Sequence, residues 1–336
     1  MSVNALIKFI IKNPVSLIFR MNKTLREFCR AGFVSTAISE GIYDLLSKGP
    51  VGITDIAHNM GSNISREGLE AWLDLGVSIG ELKKKNGKYS IKGAFSKGLL
   101  KPDNDTWTAF FQARVEVFYN YVIKTPNLLK NNFKFDFNHS YGELFARSSR
   151  TLEPILIGVV DKIIPPSGRC SLLEAGCGSG IYIKRACDRN PDILVTGVEL
   201  QKEAADFARK NAAVWQIEDR VNIEHADIRK YKSDKKFDFV TFYNLIYYFP
   251  EKERIDLLRD LGGFLNENGQ LILTTLCPAN EPSIRLMNLW TTMTEGFGPL
   301  PFPEDVCDQL KKAGFSGVEF EKLMPAFYLF KARKKS

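Results

Sequence analysis

The sequence is poor in the residues that build metal centres and disulfide frameworks. Its 336 residues include only three histidines, His58, His139 and His225, and its six cysteines form no C-x-x-C pair. Neither set has the close spacing of a zinc site or of a disulfide-stapled secreted domain, so the sequence disfavours both. Cysteines without such spacing are typical of free thiols in a reducing compartment. We therefore expect a cytoplasmic protein without a bound metal.

Long apolar runs are also missing. The apolar start of the chain, residues 5–19, is interrupted by Lys8, Lys12 and Pro14, whereas a membrane span needs roughly 18 uninterrupted apolar residues. The segment also lacks a small-residue cleavage site, so we expect neither a transmembrane segment nor a signal peptide. An amphipathic arm packed on the fold or on a partner chain is the simplest interpretation, with weak membrane association as the alternative.

No sign of charge dominates the chain. Lys and Arg number 46 against 39 Asp and Glu, and the excess is scattered in short runs such as Lys83-Lys84-Lys85. A nucleic-acid binder concentrates its basic residues on one face, so this pattern argues against one and permits an anionic small substrate. The length predicts two domains, and a hydrophobic content of 44% is enough for a core in each.

The N-terminal part predicts three helices and a hairpin. A helix is expected from Phe33 to Leu46, Thr54 is placed to cap a short helix over residues 55–59, and Ser65 to cap a helix reaching Ile79. The dipeptide Asn86-Gly87 then predicts a tight hairpin turn. Three helices followed by a two-stranded wing is the outline of a winged helix.

A winged helix often binds DNA, which makes a DNA-binding regulator the main alternative of another class. The helix that would enter the groove carries Arg66 against Glu67, Glu70 and Asp74. Its net negative charge would be repelled by phosphates. We therefore expect no nucleic-acid partner.

The middle of the chain, residues 105–164, is rich in large aromatic side chains. Such side chains are typical of connecting helices that pack two domains together. Alternatively, some of them line a substrate pocket at the domain junction. We predict an N-terminal domain over residues 1–104, connecting helices over 105–164 and a catalytic domain over 165–336.

From Cys170 onward the pattern alternates between strands and helices. The predicted strands are Cys170–Glu174, Leu194–Glu199, Val221–His225, Phe237–Tyr243, Gln270–Thr275, Gly317–Lys322 and Phe327–Lys331. The predicted helices are Ser179–Arg189, Lys202–Ala213, Glu251–Phe264 and Pro303–Ala313. This alternation predicts an α/β fold with a doubly wound, mostly parallel seven-stranded sheet, preceded by the helical N-terminal domain.

The strongest motif is a glycine turn, Gly176-Cys177-Gly178-Ser179-Gly180, directly after the first of these strands. Glycines let the backbone approach a ligand closely and adopt positive φ. Glu199 follows Gly180 by nineteen residues, at the end of the next strand, where an acidic group suits the two hydroxyls of a ribose. The pattern predicts a nucleotide-containing ligand.

The ligand is not expected to be a dinucleotide. The dinucleotide fingerprint needs a third glycine where this chain has Ile181, and Glu174 stands where a pyrophosphate would be close. A carboxylate there repels phosphate and suits a cationic ammonium or sulfonium. A dehydrogenase is therefore disfavoured.

Two further strand ends carry polar residues. Asp227 can accept a hydrogen bond from the exocyclic amine of adenine, and Ile228 can cover the ring. The strand ending at Tyr243 delivers Asn244, then Tyr247 and Tyr248, to the same crevice. Each signal is weak alone, but all lie in order at strand ends.

Together these residues resemble the class I S-adenosylmethionine-dependent methyltransferases. The resemblance runs from Leu172 to Lys331 and includes the segments 262–269 and 313–315. The segment 37–46 is similar to a helix of the winged-helix dimerisation domain in the plant-type small-molecule O-methyltransferases. The resemblance implies a Rossmann-like methyltransferase with S-adenosyl-L-methionine as cofactor and a homodimer formed through the N-terminal domain.

The resemblance also assigns roles to the cofactor-side residues. It places Glu174, Gly176, Gly178 and Gly180 around the methionine part, Glu199 at the ribose, Asp227 and Ile228 at the adenine, and Asn244 at the closing side of the site. Leu200, next to Glu199, is a further expected cofactor-binding residue.

One position departs from the family pattern. The plant-type enzymes have a catalytic histidine just after the fourth strand, and the aligned residue here is Tyr247, the one candidate catalytic residue. A tyrosine with its ordinary pKa of about 10 is a poor base, so Tyr247 either acts as a shifted base or only orients the substrate. Oxygen is the expected methylated atom. The sulfur of a thioether acid, a nitrogen or a carbon remains an alternative that needs no base.

The substrate-side residues are expected from the segment after the fifth strand, where the family builds a lid. Trp290, Met293 and Phe297 would supply apolar walls, with Tyr248 and Arg114 as polar contacts. The sequence does not identify the small-molecule acceptor.

Overall fold

The protein forms two compact units, Met1–Tyr119 and Asn120–Ser336, in this computed structural model. The structure describes residues 14–61, 63–137 and 141–335. Most of the apolar start and His139 lie outside the described residues. The predicted domain boundaries at residues 104 and 164 stay a prediction.

The first unit consists of helices and one small sheet. Its elements are α1 (Val15–Ser39), α2 (Ile42–Ser47), β1 (Val51–Gly52), α3 (Ile53–Met60), α4 (Arg66–Ser78), β2 (Leu82–Lys85), β3 (Lys88–Ile91), α5 (Ala94–Leu99), the 3₁₀ turn Pro102–Asn104, α6 (Asp105–Gln112) and the π-helical segment Ala113–Phe118. The sheet is antiparallel in the order β1-β3-β2. The hairpin turn falls at Asn86 and Gly87, which both have positive φ, as predicted.

Two details of this unit were predicted wrongly. The helix expected from Phe33 to Leu46 is broken, because Gly41 adopts the left-handed conformation with φ 67° and starts a new helix. The expected Thr54 cap is also wrong, since α3 begins two residues earlier than predicted, at Ile53, with Gly52 at the cap position. The Ser65 cap is confirmed by a hydrogen bond of 3.2 Å from the Gly68 amide to its Oγ.

The second unit contains the larger sheet and the helices that cover it. Its elements are α7 (Tyr119–Lys130), α8 (Gly142–Ser149), the 3₁₀ turn Arg150–Leu152, α9 (Glu153–Ile163), β4 (Cys170–Ala175), α10 (Ile181–Arg189), β5 (Ile193–Glu199), α11 (Lys202–Val214), β6 (Val221–His225), β7 (Phe237–Tyr243), the 3₁₀ turn Ile246–Tyr248, α12 (Glu251–Gly263), β8 (Leu265–Leu276), α13 (Pro282–Met293), α14 (Pro303–Lys312), β9 (Phe315–Met324) and β10 (Phe327–Lys334).

The seven strands follow the order β6-β5-β4-β7-β8-β10-β9. The first five are parallel, and β10 runs antiparallel between β8 and β9. The predicted seven-stranded, mostly parallel sheet is therefore confirmed. Both faces are covered, since Leu172 and Leu173 of β4 point into two different apolar clusters.

The helices divide between these two clusters. One cluster contains apolar residues of α9, α10 and α11, and the other contains those of α12 and α14. Because the strands β4 to β8 are parallel, their carboxyl ends lie at the same edge of the sheet. Within the described residues, no helix has the length and apolarity to cross a membrane.

Candidate active site

The predicted cofactor residues converge at the carboxyl ends of four adjacent parallel strands. Asp227 follows β6, Glu199 ends β5, Glu174 and the glycine turn end β4, and Asn244 follows β7. The strands β5 and β6 lie on one side of β4, and β7 and β8 lie on the other side, so the strand order reverses at β4. Open α/β sheets bind ligands in the crevice at such a reversal.

The glycine turn forms an open cradle. Gly176 has a φ of 70°, and an added Cβ would lie 2.3 Å from Leu245 Cδ1. At Gly178, where φ is 53°, an added Cβ would meet no described atom within 4 Å, so the turn is open on that side. A side chain at Gly176 would displace Leu245, whereas one at Gly178 would extend into open space.

Glu199 holds the turn in place. One of its carboxylate oxygens accepts the Gly178 amide at 2.9 Å, and the other accepts the Gln201 amide at 2.9 Å. A carboxylate has about four acceptor positions, so Glu199 keeps capacity for the two hydroxyls of a ribose. Leu200, the next residue, is 55% exposed and leaves an apolar surface beside it.

Glu174 is an acidic residue buried without a counter-ion among the described residues. Its side chain is 2% exposed, and burial raises the pKa of its carboxyl to about 8. Its Oε2 has no hydrogen-bond partner within the part of the chain that the structure describes. An unpartnered buried acceptor of this kind favours a ligand that supplies a proton donor or a positive charge.

A second unpartnered acceptor lies on the neighbouring strand. Asn244 has a φ of 56°, held there by a 2.8 Å hydrogen bond from its amide to the Thr274 carbonyl. Its Oδ1 is buried and accepts no hydrogen bond from any described residue. An ammonium group carries three donors and no acceptor. Glu174 and Asn244 therefore fit an ammonium-bearing ligand above the glycine turn.

Asp227 has a partner that sequence reasoning missed. The Arg229 guanidinium donates to both carboxylate oxygens, at 2.7–3.0 Å, and the Arg229 amide donates to one of them at 3.0 Å. These contacts hold the pKa of the Asp227 carboxyl below its usual range. The local spacing Asp-x-Arg was the available signal. Ile228, beside it, is buried at 9% exposure.

Tyr247 and Tyr248 lie in the 3₁₀ turn that follows Asn244. Tyr247 is 5% exposed, and its carbonyl accepts the Gly298 amide at 3.1 Å. Burial, with a smaller contribution from the Glu199 charge, raises the pKa of the Tyr248 phenol to about 12. Tyr248 therefore stays protonated at neutral pH.

Tyr248 belongs to an aromatic cluster within the second unit. Its members are Phe137, Tyr141, Phe145, Tyr248, Trp290 and Phe297, with ring centroids 4.8–6.5 Å apart in each contacting pair. Trp290 contacts four of the others and is 1% exposed. The structure thus brings the predicted residues Tyr248, Trp290 and Phe297 together.

Backbone pairing brings the cluster's distant segments together. The Phe135 amide donates to the Met293 carbonyl at 2.8 Å, and the Glu295 amide donates to the Phe135 carbonyl at 2.8 Å. This short parallel bridge fixes Phe137 beside α13, the helix that carries Trp290. Met293 itself is buried at 5% exposure. Helix α13 was not predicted, although Met287, Trp290 and Met293 have helical spacing.

The remaining predicted residues are spread more widely. Arg114 belongs to the first unit, where its guanidinium lies 3.4 Å from the centre of the Phe110 ring. Its contact with substrate stays a prediction. His225 ends β6, and two strands, β5 and β4, separate β6 from β7, the strand that precedes the tyrosine turn. Among the described residues no group of three or more His, Cys, Asp and Glu could hold a metal ion.

Comparison with known families identifies the core of the second unit. Residues 172–269 match the family model described as a methyltransferase domain. A curated relative, the 27-O-demethylrifamycin SV methyltransferase of Amycolatopsis mediterranei, is 26% identical over 151 residues, which cover 44% of this chain and 53% of the relative. The chain spans about half, or less, of the length of the first curated relatives that it matches.

Solved structures extend the likeness to the whole fold. The mitomycin 7-O-methyltransferase MmcR aligns with a TM-score of 0.78 at 16% identity, over 96% of this chain and 98% of that one. Human N-acetylserotonin methyltransferase, solved with S-adenosylmethionine, aligns with a TM-score of 0.71 at 16% identity, over 97% and 99%. At this identity the likeness shows that the two-part fold is shared.

The buried Glu174 predicts a specific pH dependence of the free protein's stability. The folded pKa of about 8 lies above the ordinary value of 4.5, so between these values the folded state holds a proton that the unfolded chain has released. Stability therefore falls as the pH rises through this window. Compared with Glu174→Gln, the wild type should lose roughly 3–5 kcal/mol of unfolding free energy between pH 5 and pH 8.

Urea unfolding of both proteins at pH 5, 6.5 and 8 measures this difference. Glu267→Gln is the matched control, because Glu267 is exposed and its removal should leave the pH profile unchanged. A pH-independent difference between the wild type and Glu174→Gln would contradict the burial of a protonated carboxyl.

Proposed function

We propose that this chain, whose residues 172–269 form a methyltransferase domain, transfers a methyl group from S-adenosylmethionine to a small molecule. The observation that carries the proposal is the pair of unpartnered buried acceptors, Glu174 Oε2 and Asn244 Oδ1, beside an open glycine turn. S-adenosylmethionine combines an ammonium group with a ribose, and the site offers acceptors for both. The solved neighbours support the same cofactor, since one of them was determined with it.

Each cofactor-side residue has a defined task in this proposal. Glu174 and Asn244 accept hydrogen bonds from the ammonium group, and an ammonium beside Glu174 stabilises its ionised form. Glu199 accepts from the ribose hydroxyls while it keeps the turn closed through the Gly178 amide. Asp227, held by Arg229, accepts from the adenine amine, and Leu200 and Ile228 cover the ring.

The cofactor supplies an electrophilic methyl group on a sulfonium when it is bound. The acceptor atom must then lie in line with that group and away from water. The aromatic cluster provides an apolar wall for this purpose, and Tyr248 provides a neutral donor that orients the acceptor. Met293 and Arg114 are further candidate contacts to the acceptor.

We propose oxygen as the methylated atom. A solved neighbour of the same fold, the mitomycin 7-O-methyltransferase MmcR, supports this choice. A second candidate is the sulfur of a thioether acid. It is favoured because Tyr248 stays protonated and His225 ends β6, away from the tyrosine turn, so an acceptor that needs no deprotonation suits the site. Nitrogen and carbon acceptors remain weaker alternatives.

The two other classes of function have less support. For a DNA-binding regulator, Lys84 on the wing would have to meet phosphate, but it pairs with Glu70 at 2.8 Å and Asp74 at 3.2 Å. For a dehydrogenase, the buried Glu174 carboxyl would lie close to the pyrophosphate of a dinucleotide and would repel it. The matching family model also favours methyl transfer over both.

We further propose that the first unit, with its winged-helix order of elements, forms a homodimer. Helix α1 exposes one apolar stripe, Leu17, Met21, Leu25 and Phe28, each 50–54% exposed. Their spacing of four, four and three residues places them on one face of the helix. A second copy of the chain would bury this face. We also propose a cytoplasmic location, which the free state of all six cysteines supports.

Cofactor binding tests the ribose and ammonium assignments. Glu199→Ala should weaken S-adenosylhomocysteine binding by roughly 10–100-fold in isothermal calorimetry, because charge-assisted hydrogen bonds contribute about 1.5–3 kcal/mol each. Glu203→Ala, which removes an exposed carboxylate from the neighbouring helix α11, should bind like the wild type. If Glu199→Ala binds as tightly as the wild type, the ribose assignment is wrong.

The role of Tyr247 is decided by Tyr247→Phe. Labelled cofactor and pooled phenols, hydroxy acids, methylthio acids and amines, followed by mass spectrometry, first identify the acceptor. An orienting hydroxyl predicts a rate within about tenfold of the wild type at every pH, whereas loss of a general base costs roughly 10²–10⁴-fold. A fall beyond ~10³-fold that also removes the rise of the rate with increasing pH would show that Tyr247 is the base.

Light scattering tests the dimer. The full chain should be dimeric at micromolar concentration, and Leu25→Glu should shift it toward monomer, because a charge would be buried in the apolar stripe. Lys23→Glu, a change of charge at an exposed position outside that stripe, should stay dimeric. A monomeric wild type would contradict the proposal.

A further inference from the structure

Arg254 is a buried cation outside the residues assigned so far. It lies in the first turn of α12 and is 1% exposed. Its Nε donates to the Phe249 carbonyl at 3.1 Å, and its Nη2 donates to the Pro299 carbonyl at 2.6 Å. Burial lowers the pKa of Arg254 only to about 10, so the guanidinium remains charged at neutral pH.

The two carbonyls belong to the two walls of the acceptor side. Phe249 directly follows the 3₁₀ turn with Tyr247 and Tyr248, and Pro299 lies two residues after Phe297. We propose that Arg254 is a positioning residue for the methyl acceptor: it joins these two segments and so sets the separation between the tyrosine turn and the aromatic wall. This inference rests on the proposed methyl transfer.

Other contacts show that the segment around Pro299 is held at close quarters. The Gly298 amide donates to the Tyr247 carbonyl at 3.1 Å, and the Leu300 amide donates to Asn288 Oδ1 at 2.9 Å. Asn288 lies on α13, the helix of Trp290. The Phe297 ring then meets Tyr248 edge-on at 4.8 Å. Arg254 therefore acts on a segment that is bonded to the tyrosine turn and to α13 and that carries Phe297 of the aromatic cluster.

The packing at Gly298 makes this junction sensitive to any added atom. A Cβ there would lie 2.6 Å from Arg254 Nη2, 2.8 Å from the Phe249 carbonyl oxygen and 3.1 Å from the Glu251 amide. Two of these contacts are with backbone, which does not move aside cheaply. Gly298→Ala should therefore disturb the same junction without a substitution of Arg254 itself.

Arg254→Met removes the two donors and keeps much of the volume of the side chain. We expect it to raise the acceptor KM at least tenfold, while the dissociation constant of S-adenosylhomocysteine changes less than twofold. Arg254→Lys, which restores a charged donor, should recover part of the loss. Arg259→Met is the matched control on the same helix, because Arg259 is exposed and pairs with Asp256, and it should behave like the wild type.

Hydrogen exchange followed by mass spectrometry gives a readout independent of activity. In Arg254→Met the Gly298 amide should exchange at least tenfold faster, whereas the Gly176 amide, bonded to Val198 at 2.7 Å, should be unchanged. Gly298→Ala should reproduce the rise in KM, and the double variant should be less than additive. This second route keeps the test decisive if Arg254→Met folds poorly.

The outcomes separate this inference from the proposed function. A wild type that neither binds S-adenosylhomocysteine nor transfers methyl refutes the proposed function. A wild type that does both, while Arg254→Met and Gly298→Ala keep their acceptor KM within twofold, refutes the positioning role alone. An equal loss of cofactor affinity and acceptor affinity would also overturn it, because that pattern indicates general destabilisation.

Discussion

The site depends on a carboxyl group that is buried before any ligand arrives. Glu174 ends the central strand β4, where both neighbours are parallel strands and water is excluded. Burial of a carboxylate without a partner is costly, so the free protein holds the group protonated up to about pH 8. A cationic ligand relieves that cost, whereas a phosphate would increase it. The burial of Glu174 therefore favours a nucleotide ligand with a positive charge over one with a pyrophosphate.

The rest of the cofactor edge is arranged around this carboxyl. The glycine turn follows it in the chain, Glu199 ties the turn to β5 through the Gly178 amide, and Asn244 contributes the second unpartnered acceptor just after β7. These residues are rigid because each lies at the end of a strand or is bonded to a neighbouring backbone. The proposed acceptor side is built differently, from segments that are far apart in sequence. The Phe135 bridge, the Gly298 amide and Arg254 bring those segments together.

Sequence reasoning works well where one local pattern determines the structure. Strands β6 and β7 begin and end at the predicted residues, and the glycine turn follows β4 as expected. Strand β8 begins at Leu265 rather than Gln270, because Leu265 pairs with Phe237 of β7 before a register shift, and the regular pairing resumes at Gln270 with Phe239. The break at Gly41 was missed because nothing nearby except one glycine interrupts the helical spacing.

The proposed acceptor side was predictable only in part, because tertiary contacts create it. Trp290 and Phe297 were expected there, and the structure brings them to Tyr248. Arg254 has no local signature, since a charged residue in the first turn of a helix is ordinary. Only the packing shows that it is buried and bonded both to the nearby Phe249 carbonyl and to the Pro299 carbonyl, 45 residues further along the chain. The same holds for Phe135, whose pairing partner lies 159 residues further along the chain, at Thr294.

The most direct measurement of the central claim is a crystal structure with bound S-adenosylhomocysteine. The account predicts its ammonium group within about 3 Å of Glu174 and Asn244, a hydrogen-bond distance. It also predicts the ribose hydroxyls on Glu199 and the sulfur facing the aromatic cluster beside Tyr248. A ligand bound elsewhere, or one whose ammonium group leaves Glu174 Oε2 without a partner, would contradict it.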